Sequence, residues 1–177
     1  MVRPLASRPR AGRYSALELA TAFALVGSLA AVAGPVFLRE IHASRLVEPV
    51  DGLERLGASA VAYAAGRPVA VAFPPSVPWT PSTPPRGQCE PSTSETWQAP
   101  TWRALDFQPV PPGAPYCFAF AFDSSLSPSR STFRAHAHGD LDGDGIFSTF
   151  EVSGHCIDGD PAGPAIEPGM FVDSEVE

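Results

Sequence analysis

The run from Tyr14 to Leu38, YSALELATAFALVGSLAAVAGPVFL, constrains this chain more than any other feature, because it carries one charged residue, Glu18. Wound as a helix at about 1.5 Å per residue, some twenty such residues cross a hydrocarbon core about 30 Å thick. Arg3, Arg8, Arg10 and Arg13 precede the run, and no acidic residue does. That asymmetry keeps residues 1–13 in the cytoplasm as a basic leader and sends the remainder across the membrane. A secretory signal has the same outline, with Ala31-Val32-Ala33 as its A-x-A cleavage site. Two features argue for an anchoring helix over 14–38 instead. A carboxylate costs about 2.5–3.5 kcal/mol in a bilayer and is kept there for a purpose. The helical pattern also continues beyond Ala33. The alternative, a secreted or periplasmic module released after Ala33, stays open.

Beyond the apolar run, Phe37, Leu38 and Ile41 share one helical face, and Leu53, Leu56, Ala60, Val61 and Ala64 resume it. The expectation is an amphipathic continuation over 39–66 that reaches Arg45 or Leu46, breaks at Pro49 and restarts. Asp51 is the expected N-cap of the restart, with Glu54 at its third helical position, and Gly66-Arg67-Pro68 is the stop.

The segment from Gly12 to Phe37 resembles the N-terminal signature of prepilins, with a basic leader, Gly, small residues, Glu, and an apolar helix interrupted by Pro. Glu18 and Pro35 stand seventeen residues apart, as the glutamate and helix proline do in that family. The likeness covers roughly fifty residues, and the joint placement of Gly, Glu and Pro carries it. It implies a structural subunit of a type IV pilus or a type II secretion-like pseudopilus. Its expected partners are other pilin subunits in a helical filament, the inner membrane, and a prepilin peptidase that trims and methylates the new N-terminus. One position departs from the pattern. Counting back from Glu18 makes Tyr14 the first mature residue, but Arg13 precedes it where the family has Gly, and Gly12 lies one step early. Cleavage after Gly12, after Arg13, or not at all therefore remains open. The resemblance places the N-terminus in the cytoplasm and the exported domain in the periplasm or in an assembled filament. In such a filament Glu18, buried among apolar helices, would set axial register by pairing with the N-terminal amine of a neighbour. A carboxylate snorkelling to the headgroups is the simpler role.

Residues 67–177 read as an exported, β-rich globular domain. Val69 to Phe73 reads as a short strand. The Pro-rich segment 74–115 is too long for a bare loop, so Trp79, Trp97, Trp102 and Phe107 are expected to pin it onto the sheet or helix. An aromatic platform for glycans is the sharper alternative. Period-two alternation over Cys117–Phe122, Thr132–His138 and Ser148–Ser153 predicts an antiparallel meander, with His138 opposite Ser148. A long N-terminal helix, transmembrane in its first half and packed on a small antiparallel sheet, is an α+β plan. It is also what the pilin resemblance implies.

The connection GDLDGDGIFSTFE matches an EF-hand-type loop in its oxygen ligands. Asp140, Asp142 and Asp144 take its first, third and fifth positions and Gly145 the sharp turn. Ile146 takes the backbone-carbonyl position, Ser148 the ninth and Glu151 the twelfth. Structural Ca²⁺ is the cofactor that this oxygen set suits. The flanks read as strands, not helices, so a plain Asp-Gly hairpin turn is the competing reading. Pilin-like proteins of myxobacteria with a GDLDGDG turn, and a Trp-containing segment like Thr101–Phe107 ahead of the sheet, are similar to this chain.

Three cysteines, Cys89, Cys117 and Cys156, suit one disulfide and one spare thiol in an oxidising compartment. In the meander Cys117 and Cys156 lie about 27 Å apart at roughly 3.3 Å per residue, too far to bridge. Cys89 is then the partner of one or the other. His136 and His138 share a strand face and, with Asp140 or His155, form a weaker metal candidate. No P-loop, HExxH or nucleophile elbow occurs in the sequence, so no enzyme is expected. With the four leader arginines removed from the net charge of −7, the rest of the chain carries −11, which repels nucleic acid.

Overall fold

The computed structural model describes residues 15–93 and 95–174. The leader, with Gly12, Arg13, Tyr14 and the processing expected there, lies outside the described residues. The chain divides into two compact units, Met1–Ile41 and His42–Glu177.

The first unit is helix α1, Ala16–Arg45, which runs on past the unit's end. Among the described residues, Ala16–Pro35 is the segment long and apolar enough to cross a membrane, as an anchor or as a signal sequence. Its large apolar side chains, among them Leu17, Phe23, Leu25, Leu29 and Val32, are exposed. Pro35 sits inside the helix without ending it. Its missing N–H and its ring loosen one turn.

The second unit is α+β. Helix α2, Val47–Ala64, buries a stripe at helical spacing: Pro49, Gly52, Leu53, Leu56, Gly57, Ala60 and Ala64. The helix thus restarts two residues after Arg45, not at Asp51. Pro49 falls in its first turn, where the missing N–H has no intrahelical partner to lose, so it breaks nothing. Asp51 is inside the helix, and no capping box forms there. Gly52 matters for packing, because a Cβ there would stand 2.7 Å from Cζ of Phe120. Its absence lets the helix settle onto that ring.

After α2, Val69–Val71 forms a 3₁₀ turn where a strand is expected from the pattern. The N–H groups of Val71 and Ala72 find the carbonyls of Pro68 and Val69, at 3.0 and 3.2 Å. Flanked by Pro68 and the Pro74-Pro75 pair, the segment is too short to keep a sheet partner as well. The next elements are β1 (Val77–Thr80), β2 (Glu90–Pro91), the short helix α3 (Pro100–Ala104) and β3 (Pro115–Tyr116). They are followed by β4 (Phe118–Ser125), β5 (Arg130–Gly139), β6 (Ser148–Ile157), β7 (Ala165–Ile166) and β8 (Phe171–Asp173).

The main sheet runs β1-β4-β5-β6-β7, with β8 also on β6, and every pairing is antiparallel. The expected meander is β4-β5-β6. Its register places Gly139, not His138, opposite Ser148, a shift of one residue. One face packs against α2 and carries Phe118, Phe120, Phe122, Phe133, Ala135, Ala137, Phe150 and Val152, all buried. The Pro-rich segment packs down on the same core. Trp97, Trp102 and Phe107 are buried, and Trp97 makes edge-on ring contacts with Trp102, Phe107, Tyr116 and Phe120. These rings are therefore core and do not form a glycan platform, because edge-on packing in one cluster around Trp97 removes more apolar surface from water than an exposed array does. Cys89 bridges Cys117 with Cα atoms 4.4 Å apart, and Cys156 is a buried free thiol.

Candidate functional site

Four clusters of polar side chains stand out, one in the first unit and three in the second. In the first, Ser15 caps α1. Glu18 Nα donates to Ser15 Oγ at 3.2 Å, and Ser15 Nα donates back to Glu18 Oε2 at 2.7 Å. The Ser15 hydroxyl adds a bond to the same oxygen at 3.0 Å. This is a reciprocal capping box, and S-x-x-E in the sequence is its signal. The box expected at Asp51–Glu54 forms instead at Ser15–Glu18, where the sequence reading did not place one. The negative charge also lies at the positive end of the helix dipole.

In the second unit the β5–β6 connection brings Asp140, Asp142 and Asp144 together, with one carboxylate oxygen of each within 4.8 Å of the others. The turn is bent by Gly143 and Gly145, at φ of 85° and 93°, where a Cβ would be strained. Each carboxylate also holds the backbone ahead of it. Asp140 Oδ1 accepts from Gly143 Nα at 2.8 Å, Asp142 Oδ1 from Asp144 Nα at 3.1 Å, and Asp144 Oδ1 from Ile146 Nα at 2.7 Å. Ile146 is exposed, whereas Ser148 is buried at the start of β6. Glu151 stands further along β6, paired with His136 at 3.3 Å and with Arg134 at 3.5 Å. The strand flank turns this twelfth position toward the sheet's outer face, where an EF-hand's second helix would turn it inward.

That outer face carries the third cluster. His136 lies between Asp123 and Glu151, each at 3.3 Å. His138 is stacked between Trp79, at 3.9 Å between centroids, and Phe147, at 6.0 Å. Burial and the neighbouring His136 push the His138 pKa down. His155 pairs with Glu167 at 3.2 Å instead of joining them. The histidines are thus engaged by carboxylates and rings, not gathered around one point.

The fourth cluster was not singled out from the sequence. Glu48, in the first turn of α2, reaches the head of β4, where its carboxylate accepts from Cys117 Nα at 2.8 Å and Phe118 Nα at 3.2 Å. β1 covers β4 only from Phe120 onward, so these amides need another acceptor. Glu48 lines a cleft of about 660 Å³ with Val47, Val110 and the Cys89–Cys117 bridge. Burial pushes its pKa up to about 7, against the two backbone N–H bonds that lower it. Its sequence signal is faint: an acid set among Val47, Pro49 and Val50.

The chain matches no protein-family model, no curated protein and no solved structure.

Proposed function

We propose that this chain is a structural, non-catalytic subunit of a type IV pilus or of a type II secretion-like pseudopilus. α1 holds it in the inner membrane with the N-terminus cytoplasmic and the sheet domain periplasmic, and the same helix carries it into the filament. The observation that supports this best is α1 itself. It is thirty residues long, with an exposed apolar span over Ala16–Pro35 and a single carboxylate, Glu18, near its N-terminal end. Such a surface needs cover from lipid or from copies of itself. Two further features favour the second use. Pro35 loosens the helix midway, which suits a segment that leaves the bilayer and repacks. Glu18 satisfies its own helix end while the subunit is alone. In a helix bundle the amine of a neighbouring subunit would take over that carboxylate and set axial register.

Glu18→Ala tests this reading. Membrane insertion is expected to persist or improve, and incorporation into filaments to fail or become irregular. Normal incorporation would remove the register role. N-terminal sequencing of the exported chain tests the wider reading. A start at Arg13 or Tyr14 fits a filament subunit, whereas a start at Gly34 identifies a secreted module and overturns the proposal.

A further inference from the structure

The acidic turn holds an observation that an ordinary hairpin does not account for. Asp140 is 1% exposed, and its Oδ2 is buried without a hydrogen-bond partner. The nearest cation, Arg86 Nε, stands 4.0 Å away, beyond hydrogen-bond reach, on a side chain that is mostly in solvent. A shut-in carboxylate oxygen without a donor is costly. Here it stands in a group whose two other members, Asp142 and Asp144, are also carboxylates, with oxygens within 4.8 Å of one another. Like charges at this distance repel, and a cation among them adds attractions to all three that outweigh this repulsion.

We propose that Asp140, Asp142 and Asp144 form a Ca²⁺ site, and that the bound ion pins the Arg86–Gly87 segment against the β5–β6 turn. The donor set is oxygen alone, which selects a hard cation. Two oxygens bound to one Ca²⁺ at about 2.4 Å are at most about 4.8 Å apart, and the observed cluster meets that limit. Mg²⁺, at about 2.0–2.1 Å and with strict octahedral demands, suits the spread less well. Glu151 is not a ligand, since His136 and Arg134 hold it on the sheet. Water and backbone carbonyls of the turn complete the shell. The second half of the proposal follows from what abuts the turn. Gly87 Nα donates to the Asp140 carbonyl at 2.8 Å. A Cβ on Gly87 would lie 3.5 Å from the Asp142 carbonyl oxygen. Two residues later comes Cys89, bonded to Cys117 at the head of β4. Ordering the turn therefore orders the strap that leads to the disulfide.

The test uses the full chain, purified in mild detergent and stripped with chelator, and titrated with CaCl₂ or MgCl₂ by calorimetry. Ca²⁺ is expected to bind with Kd on the order of 10⁻⁴–10⁻³ M, as in extracellular modules. At ten times Kd the unfolding constant then falls about tenfold. The exposed pair Asp142→Asn with Asp144→Asn keeps the oxygen acceptors that hold the turn. It is expected to abolish binding while the metal-free melting temperature stays the same or rises, because two mutually repelling charges are gone. Absence of a Ca²⁺ response in the parent chain, its survival in the double variant, or an equal response to MgCl₂ would each overturn the site. Amide exchange at Gly87 reads the pin directly. Ca²⁺ should slow it in proportion to occupancy, and unchanged exchange at saturating Ca²⁺ would overturn that half.

Discussion

Glu48→Gln is expected to flatten the pH dependence of folding stability between about pH 4.5 and 7. In the folded chain burial raises the Glu48 pKa from 4.5 to about 7. Between those values the folded state binds a proton that the unfolded state has released, so stability falls as pH rises. At about 1.4 kcal/mol per unit, the loss across the window is about 3 kcal/mol, which is about 6–12 °C in melting temperature for a domain of this size. Stability from this group is greatest below pH 4.5 and has gone above pH 7. Glutamine keeps one oxygen for the Cys117 and Phe118 amides and removes the titration. The groups sharing the cleft are Asp51, Glu54 and Arg55, and they are unchanged by the substitution. His138 works in the opposite direction, because its lowered pKa makes stability fall as pH drops below about 6.5. The difference between parent and variant isolates Glu48 from it. Calorimetry of the full chain in mild detergent across this range measures the effect. Parallel pH profiles for the two proteins would refute the reasoning.

Replacing Cys89 and Cys117 together with Ser frees a loop closed across 28 residues. The expected loss is about 3.5 kcal/mol by the chain-entropy relation, and a melting temperature equal to that of the oxidised parent would contradict it. Gly154→Ala places a Cβ 2.3 Å from Phe133 Cε1 and 2.6 Å from the Ala165 carbonyl oxygen. Phe133 is stacked on Phe122 and cannot swing away freely, so a loss of about 1–3 kcal/mol is expected. Chemical denaturation checks this, and an unchanged midpoint would show that β7 yields instead.

Much of the architecture could be read from residue order because it rests on local periodicity. The apolar run with one carboxylate dictates α1, since only a helix satisfies its backbone in an apolar surrounding. Alternation over Cys117–Phe122, Thr132–His138 and Ser148–Ser153 dictates three strands, and short connections make them a meander. Even the disulfide was narrowed by strand length, which put Cys156 out of reach of Cys117. Convergence of Asp140, Asp142 and Asp144 follows from their spacing across a glycine turn. Other features depend on partners far along the chain. Val69–Phe73 has strand composition, yet between its flanking prolines Val69–Val71 closes a 3₁₀ turn on itself. By sequence Trp97 and Trp102 could pin the Pro-rich segment or line a glycan platform, and only the folded core, with both rings buried and Trp97 edge-on to Phe120, decides for the first. Register differs by one residue from the expected pairing, with Gly139 opposite Ser148, and the turn beyond holds Asp140 through Gly87 and Gly143. Glu151 stands in the twelfth loop position by counting, yet a strand in place of a helix aims it at His136. Glu48 reads as an ordinary surface acid, and only the gap between β1 and the head of β4 gives it two amides to hold and a raised pKa. Spacing along the chain decides what neighbours in sequence do; burial and edge pairing are decided by segments tens of residues apart, and those only the folded chain brings together.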